Sequence, residues 1–220
     1  MGKNNFSYLL LALLALLFGI PLADDLSLST APVVRSLIFS LLLVVGVWSL
    51  KGGGRFFTVG MAFAIVGVSL NVLAANIDSP TLFYGSFLAL FGFLLAAITF
   101  TLRQVAVGTS ISTNRLVGAI CVYLLLGVIW AIAYSLLDVA APDSFTGFSP
   151  QVDRGWDSEW LYFSFVTMTT LGYGDILPVS AMARALAYLQ AIFGQFYIAI
   201  LVAGLVSAYI SKRQRDSSGN

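Results

Sequence analysis

The sequence predicts an all-α membrane protein: six transmembrane helices, with a re-entrant helix and a polar loop between the fifth and sixth. Three observations carry this. The 220 residues are 59% hydrophobic and only 10% charged, where a soluble domain has roughly 25% charged residues. Mean hydropathy is +0.95. The apolar residues fall in runs of about 20, enough to cross a hydrocarbon core of roughly 30 Å at ~1.5 Å per residue.

The expected spans are 6–22, 33–50, 56–77, 82–102, 116–137 and 181–210. Short polar connections separate them, except for the long one over 138–180. With the N-terminus in the cytoplasm, Lys3, Lys51, Arg55, Arg103, Arg115, Lys212, Arg213 and Arg215 are all cytoplasmic, and only Arg35, Arg154 and Arg184 lie outside. The positive-inside rule selects that orientation. Nine acids then line the outer face (Asp24, Asp25, Asp78, Asp138, Asp143, Asp153, Asp157, Glu159 and Asp175), where they would concentrate cations. The first segment, "MGKNNFSYLLLALLALLFGIPLADD", reads as a retained span. A secretory signal peptide has the same basic start, leucine run and small residues. N-terminal sequencing of the membrane-purified protein separates the two.

Composition excludes some functions. The net charge of +1 implies no nucleic-acid partner. The chain has no histidine, so the commonest metal ligand, general base and pH switch are missing, and no enzyme or cofactor site is expected. Cys121, the one cysteine, reads as a small buried hydrophobe. The stripe Ala183, Ala187 and Ala191 would let helices approach. Asn71 and Asn76 read as interhelical or interfacial groups, and Asp24 and Asp25 as a solvated outer turn. Trp48, Trp130, Trp156 and Trp160 read as interfacial anchors or packing.

The chemistry concentrates in 138–180. Residues 138–157 are polar and contain Pro and Gly, so they read as an exposed outer loop. "SEWLYFSFVTMTT" follows, apolar and aromatic but too short to span. It reads as a re-entrant helix over 158–169, capped by Asp157 or Ser158, with Glu159 suited to the positive end of its dipole. "TLGYGD" comes next. Backbone that leaves a helix inside a bilayer must line a polar path or be buried in protein. Gly172 and Gly174 can take positive φ at little cost. Alternating handedness would turn the carbonyls of Thr170, Leu171, Gly172 and Tyr173 toward one axis, with the Thr170 hydroxyl as the lowest ligand and Tyr173 wedged outward. Such a ring of oxygens replaces the hydration shell of a potassium ion. One strand supplies one side of the ring, so several copies must meet. Pro178 helps turn the chain toward the last span.

"TTLGYGD" at 169–175 resembles the selectivity-filter signature of tetrameric potassium channels. The resemblance covers 116–211: outer helix, outer loop, pore helix, filter over 170–175 and inner helix. It implies a homotetramer with K+ held at Thr170, Leu171, Gly172 and Tyr173, and no cofactor beyond the permeant ion. Tyr173 supports potassium over sodium; Leu171 stands where valine is commoner. Supporting positions are Thr169, Asp175, Tyr162, Phe163 and Val166. Tyr162 occupies the place of a tryptophan that often bonds the mouth aspartate, and Val166 that of a buried glutamate found in some members. Gly194 matches the inner-helix hinge, although a packing role is equally open. Gln195, Ile198 and Val202 match cavity positions, and Ala203, Val206 and Ile210 the cytoplasmic crossing.

The remaining chain divides into a four-helix membrane domain over 1–103, a linker over 104–115 and a tail over 212–220. The four-helix domain resembles a voltage sensor in span count only. Segment four carries no charge before Arg103, too little for steep voltage sensing. Lys212, Arg213 and Arg215 are lipid contacts or a plain topology signal. The function expected is passive potassium conduction; the alternatives are a potassium-uptake transporter subunit or a non-conducting structural membrane protein.

Overall fold

The computed structural model describes residues 5–25, 41, 43–47, 54–77, 80–107, 113–149, 158–204, 206, 207, 210 and 214. The readings placed on Arg35, Trp48, Lys51, Trp156, Asp157, Lys212, Arg213 and Arg215 lie outside these residues, as do those on the side chains of Asp24, Asp25, Asn71 and Asn76.

The described chain is almost wholly helical. In order come α1 (Asn5–Asp25), α2 (Arg55–Asn76), α3 (Pro80–Val107), α4 (Thr113–Ala140), the two-residue strand β1 (Phe145–Thr146), α5 (Ser158–Met168), strand β2 (Leu177–Pro178) and α6 (Ala181–Phe196), which runs into a π-helical segment, Tyr197–Val202. Residues 43–47 are also helical. Among the described residues, three helices are long and apolar enough to cross a membrane: Phe6–Ala23, Tyr84–Val105 and Asn114–Ala140. Phe57–Leu70 is a shorter apolar stretch.

These helices are apolar on most sides, as expected where the surroundings are themselves apolar. Packing therefore depends on shape. Phe6, Leu9, Leu13, Leu16 and Ile20 are buried along α1, spaced three or four residues apart on one face. That face packs along α4, where the Cys121 thiol donates to the Phe6 carbonyl at 3.4 Å. The α2 and α3 helices pack together, and α3 lies against α4. The Arg115 guanidinium bonds the Val105 carbonyl across the α3–α4 connection. Helix α4 is the central post: Cys121, Val122, Val128, Ala131, Ile132 and Tyr134 are fully buried on it.

One detail adds to the sequence reading and another departs from it. The last span, expected over 181–210, widens to π geometry at Tyr197. There the Tyr197 hydroxyl turns to the Ala119 carbonyl on α4, at 2.6 Å. The outer loop was expected to be exposed, yet Ser144 and Phe145 are buried. The cause is pairing: β1 and β2 are antiparallel, with Phe145 opposite Pro178 and Thr146 opposite Leu177. Phe145 also meets Trp160, Phe163 and Tyr134 edge-on, at 5.2, 5.5 and 5.6 Å between ring centres. Those contacts remove its ring from solvent.

Candidate functional site: the 158–175 helix and filter turn

Helix α5 ends in a Schellman closure. The Leu171 N–H reaches back to the Val166 carbonyl at 2.9 Å, and the Thr170 N–H to the Thr167 carbonyl at 3.0 Å. This six-to-one, five-to-two pair satisfies carbonyls that a helix end leaves open, and it needs a left-handed residue at the position of Thr170. Thr170 has φ 59. Glycine is the usual occupant, so a threonine here carries backbone strain of the order of 1–2 kcal/mol. Strain of this kind persists where the surroundings over-determine it, and often at functional sites.

The alternation continues outward. Gly172 has φ 58 and Gly174 φ 82, while Leu171 and Tyr173 between them stay outside the left-handed region. The Gly172 N–H also points back to Val166, at 3.4 Å. Successive N–H groups are thus gathered toward the helix end. Among the described residues, no donor bonds the carbonyls of Thr170 to Gly174. Leu171 is 56% and Tyr173 68% exposed in the single chain. The Thr169 hydroxyl bonds the Phe165 carbonyl at 2.7 Å, so it serves the helix end.

Helix α5 holds the far end of the turn as well. The Tyr162 hydroxyl donates to the Asp175 carboxylate, and the Tyr162 ring lies parallel to that of Tyr173, with centres 6.5 Å apart. Asp175 also accepts the Ile176 N–H at 3.0 Å. The hydrogen bond from Tyr162 is the largest influence on this carboxyl and holds it below the usual carboxylate range; partial desolvation works against it. Outside Asp175 the backbone of Gly147, at φ 96, lies so close that a Cβ would overlap the Asp175 carbonyl oxygen. The Ser144 carbonyl takes the N–H groups of Val179 and Ser180 at 2.8 and 3.2 Å, and the Glu159 carboxylate takes the Ser149 N–H at 3.1 Å. Pro178 therefore sits in a strand pairing, where a plain turn was expected. The Ser180 hydroxyl caps α6 by accepting the Ala183 N–H at 3.1 Å.

The other predicted residues divide. Phe163 is buried and packs 4.9 Å from Tyr134, so it braces the core. Val166 acts through its carbonyl. Gly194 is buried on α6, where a Cβ would lie 2.6 Å from the Met168 carbonyl oxygen and 2.7 Å from Met168 Cγ. Close packing against the last residue of α5 is thus a physical role for this glycine. Gln195, Ile198, Ala203, Val206 and Ile210 are exposed on the single chain; Val202 lies in the π segment. Trp160 and Trp130 pack against aromatics, Phe148 at 4.2 Å and Tyr134 at 6.0 Å.

Sequence reasoning passed over the loop that clamps Asp175 and a buried cluster of Tyr134, Ser164 and Gln190. Gln190 carried a signal, as an uncharged polar residue inside an apolar span. Gly147 carried none, since nothing in its surroundings marks a left-handed position.

Residues 118–211 match the ion channel family model. A two pore potassium channel a from Oryza sativa subsp. japonica is 34% identical over 101 residues, 46% of this chain and 26% of that protein. An inward rectifier potassium channel, Kirbac3.1, from Paramagnetospirillum magnetotacticum is 30% identical over 94 residues, 41% of this chain and 28% of that protein. A two-pore potassium channel 5 from Arabidopsis thaliana is 43% identical over 47 residues, 21% of this chain and 12% of that protein. The chain thus spans little more than a quarter, or less, of these curated relatives. No solved structure matches. The segment that carries α4, α5, the alternating turn and α6 in this integral membrane protein is thus similar to ion channels, and to potassium channels among the relatives named.

Proposed function

We propose that residues 116–211 of four identical chains surround one axis and conduct potassium passively and selectively. The observation that carries this reading is the alternation of φ at Thr170, Gly172 and Gly174, together with the return of the Leu171 and Gly172 N–H groups to Val166. Carbonyls left without donors are free to serve an ion. Four strands around an axis would stack rings of carbonyl oxygen from Thr170, Leu171, Gly172 and Tyr173, with the Thr170 hydroxyl below them. A dehydrated potassium ion gains such oxygens in place of water. The negative end of the α5 dipole, at Met168, favours a cation just beneath. No cofactor beyond the permeant ion enters the scheme.

The same reading gives each chain six spans, a re-entrant α5, both termini in the cytoplasm and a place in the plasma (inner) membrane. Residues 1–103 form the four-helix membrane domain, 104–115 the linker and 212–220 a tail facing anionic lipid. Gln195, Ile198 and Val202 would line the cavity, and Ala203, Val206 and Ile210 the inner constriction.

The test is the purified chain in liposomes. Under a K+/Na+ gradient the reversal potential should follow potassium, and barium should block the flux. Gly172→Ala should reduce selectivity: its Cβ meets nothing within 4 Å, so the effect is backbone strain, about 1–2 kcal/mol per subunit. An assembled protein that passes no potassium would refute the reading.

A further inference from the structure

Behind the filter lies a buried polar cluster that conduction itself does not use. Gln190 on α6, Ser164 on α5 and Tyr134 on α4 are each fully buried. The Tyr134 hydroxyl donates to Gln190 Oε1 at 2.5 Å. Gln190 Nε2 donates to the Ser164 carbonyl at 3.0 Å and to the Ser164 hydroxyl at 2.8 Å. The Ser164 hydroxyl donates in turn to the Gly127 carbonyl at 2.6 Å. Both kinds of polar atom in the carboxamide are used, and three helices meet in one connected network.

An apolar side chain of similar volume would fill this space without needing partners, and buried polar networks are tolerated only when each member is satisfied. What the glutamine adds is direction. Gln190 and Gly194 are one turn apart on α6, and Ser164 and Met168 are one turn apart on α5. Gln190 meets Ser164 through hydrogen bonds, and Gly194 meets Met168 through close approach. Together they fix the register of the two helices over the last turn of α5. Within that turn lies Val166, whose carbonyl holds the N–H groups of Leu171 and Gly172. A shift of α5 along α6 would therefore move the filter backbone.

We propose that Gln190 is a selectivity-positioning residue: through Ser164 its carboxamide holds the last turn of α5, and hence the Leu171–Gly172 backbone, in register with α6. The proposal rests on the potassium-pore reading above. It implies that displacement of the inner helix reaches the filter through a hydrogen bond as well as through packing.

The experiment compares wild type, Gln190→Leu, Gln190→Glu and Tyr134→Phe as full chains in liposomes. It reads oligomer size, melting temperature and the K+/Na+ reversal potential. Gln190→Leu should cut the K+/Na+ permeability ratio about tenfold, the scale expected when buried partners lose their hydrogen bonds. Gln190→Glu should recover most of the ratio, because burial keeps the carboxyl protonated and able to donate to Ser164. Tyr134→Phe barely changes volume and should shift the potential in the same direction as Gln190→Leu, by less. A purely structural role would lower the melting temperature of these variants and leave the reversal potential alone. That result overturns the proposal, as does equal impairment of the Leu and Glu variants. Should Gln190→Leu fail to assemble, an unshifted potential in Tyr134→Phe overturns it. A wild-type chain that does not discriminate K+ from Na+ fells the pore reading first; selective wild type with unshifted variants fells this inference alone.

Discussion

The hydroxyl of Tyr162 donates to the carboxylate of Asp175, so a residue two turns inside α5 grips the residue that closes the filter turn. The bond is to the charged form, and Asp175 is held below the ordinary carboxylate range chiefly for that reason. The sign follows: a group whose folded pKa is depressed contributes its full stabilisation above the ordinary value, about 3.9 for aspartate, and loses it as pH falls through the lowered one. Potassium flux should therefore be insensitive to external pH from neutral down to the usual carboxylate range. Tyr162→Phe removes the main cause, so the acid-sensitive limb of a flux-against-pH curve should move upward, toward the ordinary aspartate value. An unmoved limb would show that Tyr162 does not set the charge at the mouth.

Gly194 invites two opposite expectations, and stability distinguishes them. A glycine kept only as a hinge lies in a helix that alanine would favour by about 1 kcal/mol. A glycine kept for packing cannot accept a Cβ placed 2.6 Å from the Met168 carbonyl oxygen. Overpacking of that kind costs typically 1–3 kcal/mol. We expect Gly194→Ala to lower the melting temperature of the detergent-solubilised protein and to loosen K+/Na+ selectivity, since Met168 ends the helix that carries the proposed filter. A raised melting temperature would assign the glycine to flexibility.

Much of this site was legible in the sequence because its signals are local. Gly172 and Gly174, spaced two apart in a polar run between apolar segments, point to positive φ, and the length of "SEWLYFSFVTMTT" sets a helix too short to span. Helix α5 indeed runs Ser158–Met168. Thr170 was anticipated as a ligand and not as a left-handed residue, because its φ follows from how α5 terminates. Phe163 and Tyr162 are neighbours in sequence but stand about 100° apart around the helix, so Phe163 meets a core that includes Phe145 while Tyr162 meets Asp175. The pairing of Phe145 with Pro178 joins residues 33 positions apart, and the bond between Tyr134 and Gln190 spans 56. Contacts at that separation depend on how helices assemble, which no single stretch encodes.

The outer loop should be as sensitive as the alternating turn it covers. Gly147 combines φ 96 with backbone contact to Asp175, so Gly147→Ala meets both left-handed strain and direct overlap with a carbonyl. Gly172→Ala meets only the first, since its surroundings are open. Gly147→Ala should therefore separate β1 from β2 and bare the segment near residue 147. Limited proteolysis of the membrane-embedded protein should cut there faster than in wild type, with a loss of potassium selectivity alongside. Resistance equal to wild type would mean that the loop does not depend on this close approach.

Voltage should do little to the proposed conduction. Across Pro80–Val107 the only charged side chain is Arg103, near the end of the apolar stretch. A charge moved through the whole membrane field is worth about 2.3 kcal/mol per 100 mV, and steep gating needs several such charges in each subunit. One arginine beside the membrane edge crosses only a small part of that field. The open probability should change shallowly with voltage, and Arg103→Gln should leave even that slope unaltered. Single-channel recording over a wide voltage range measures both. A gating charge of many elementary units, or a slope that falls when Arg103 is neutralised, would place a voltage sensor in this helix after all.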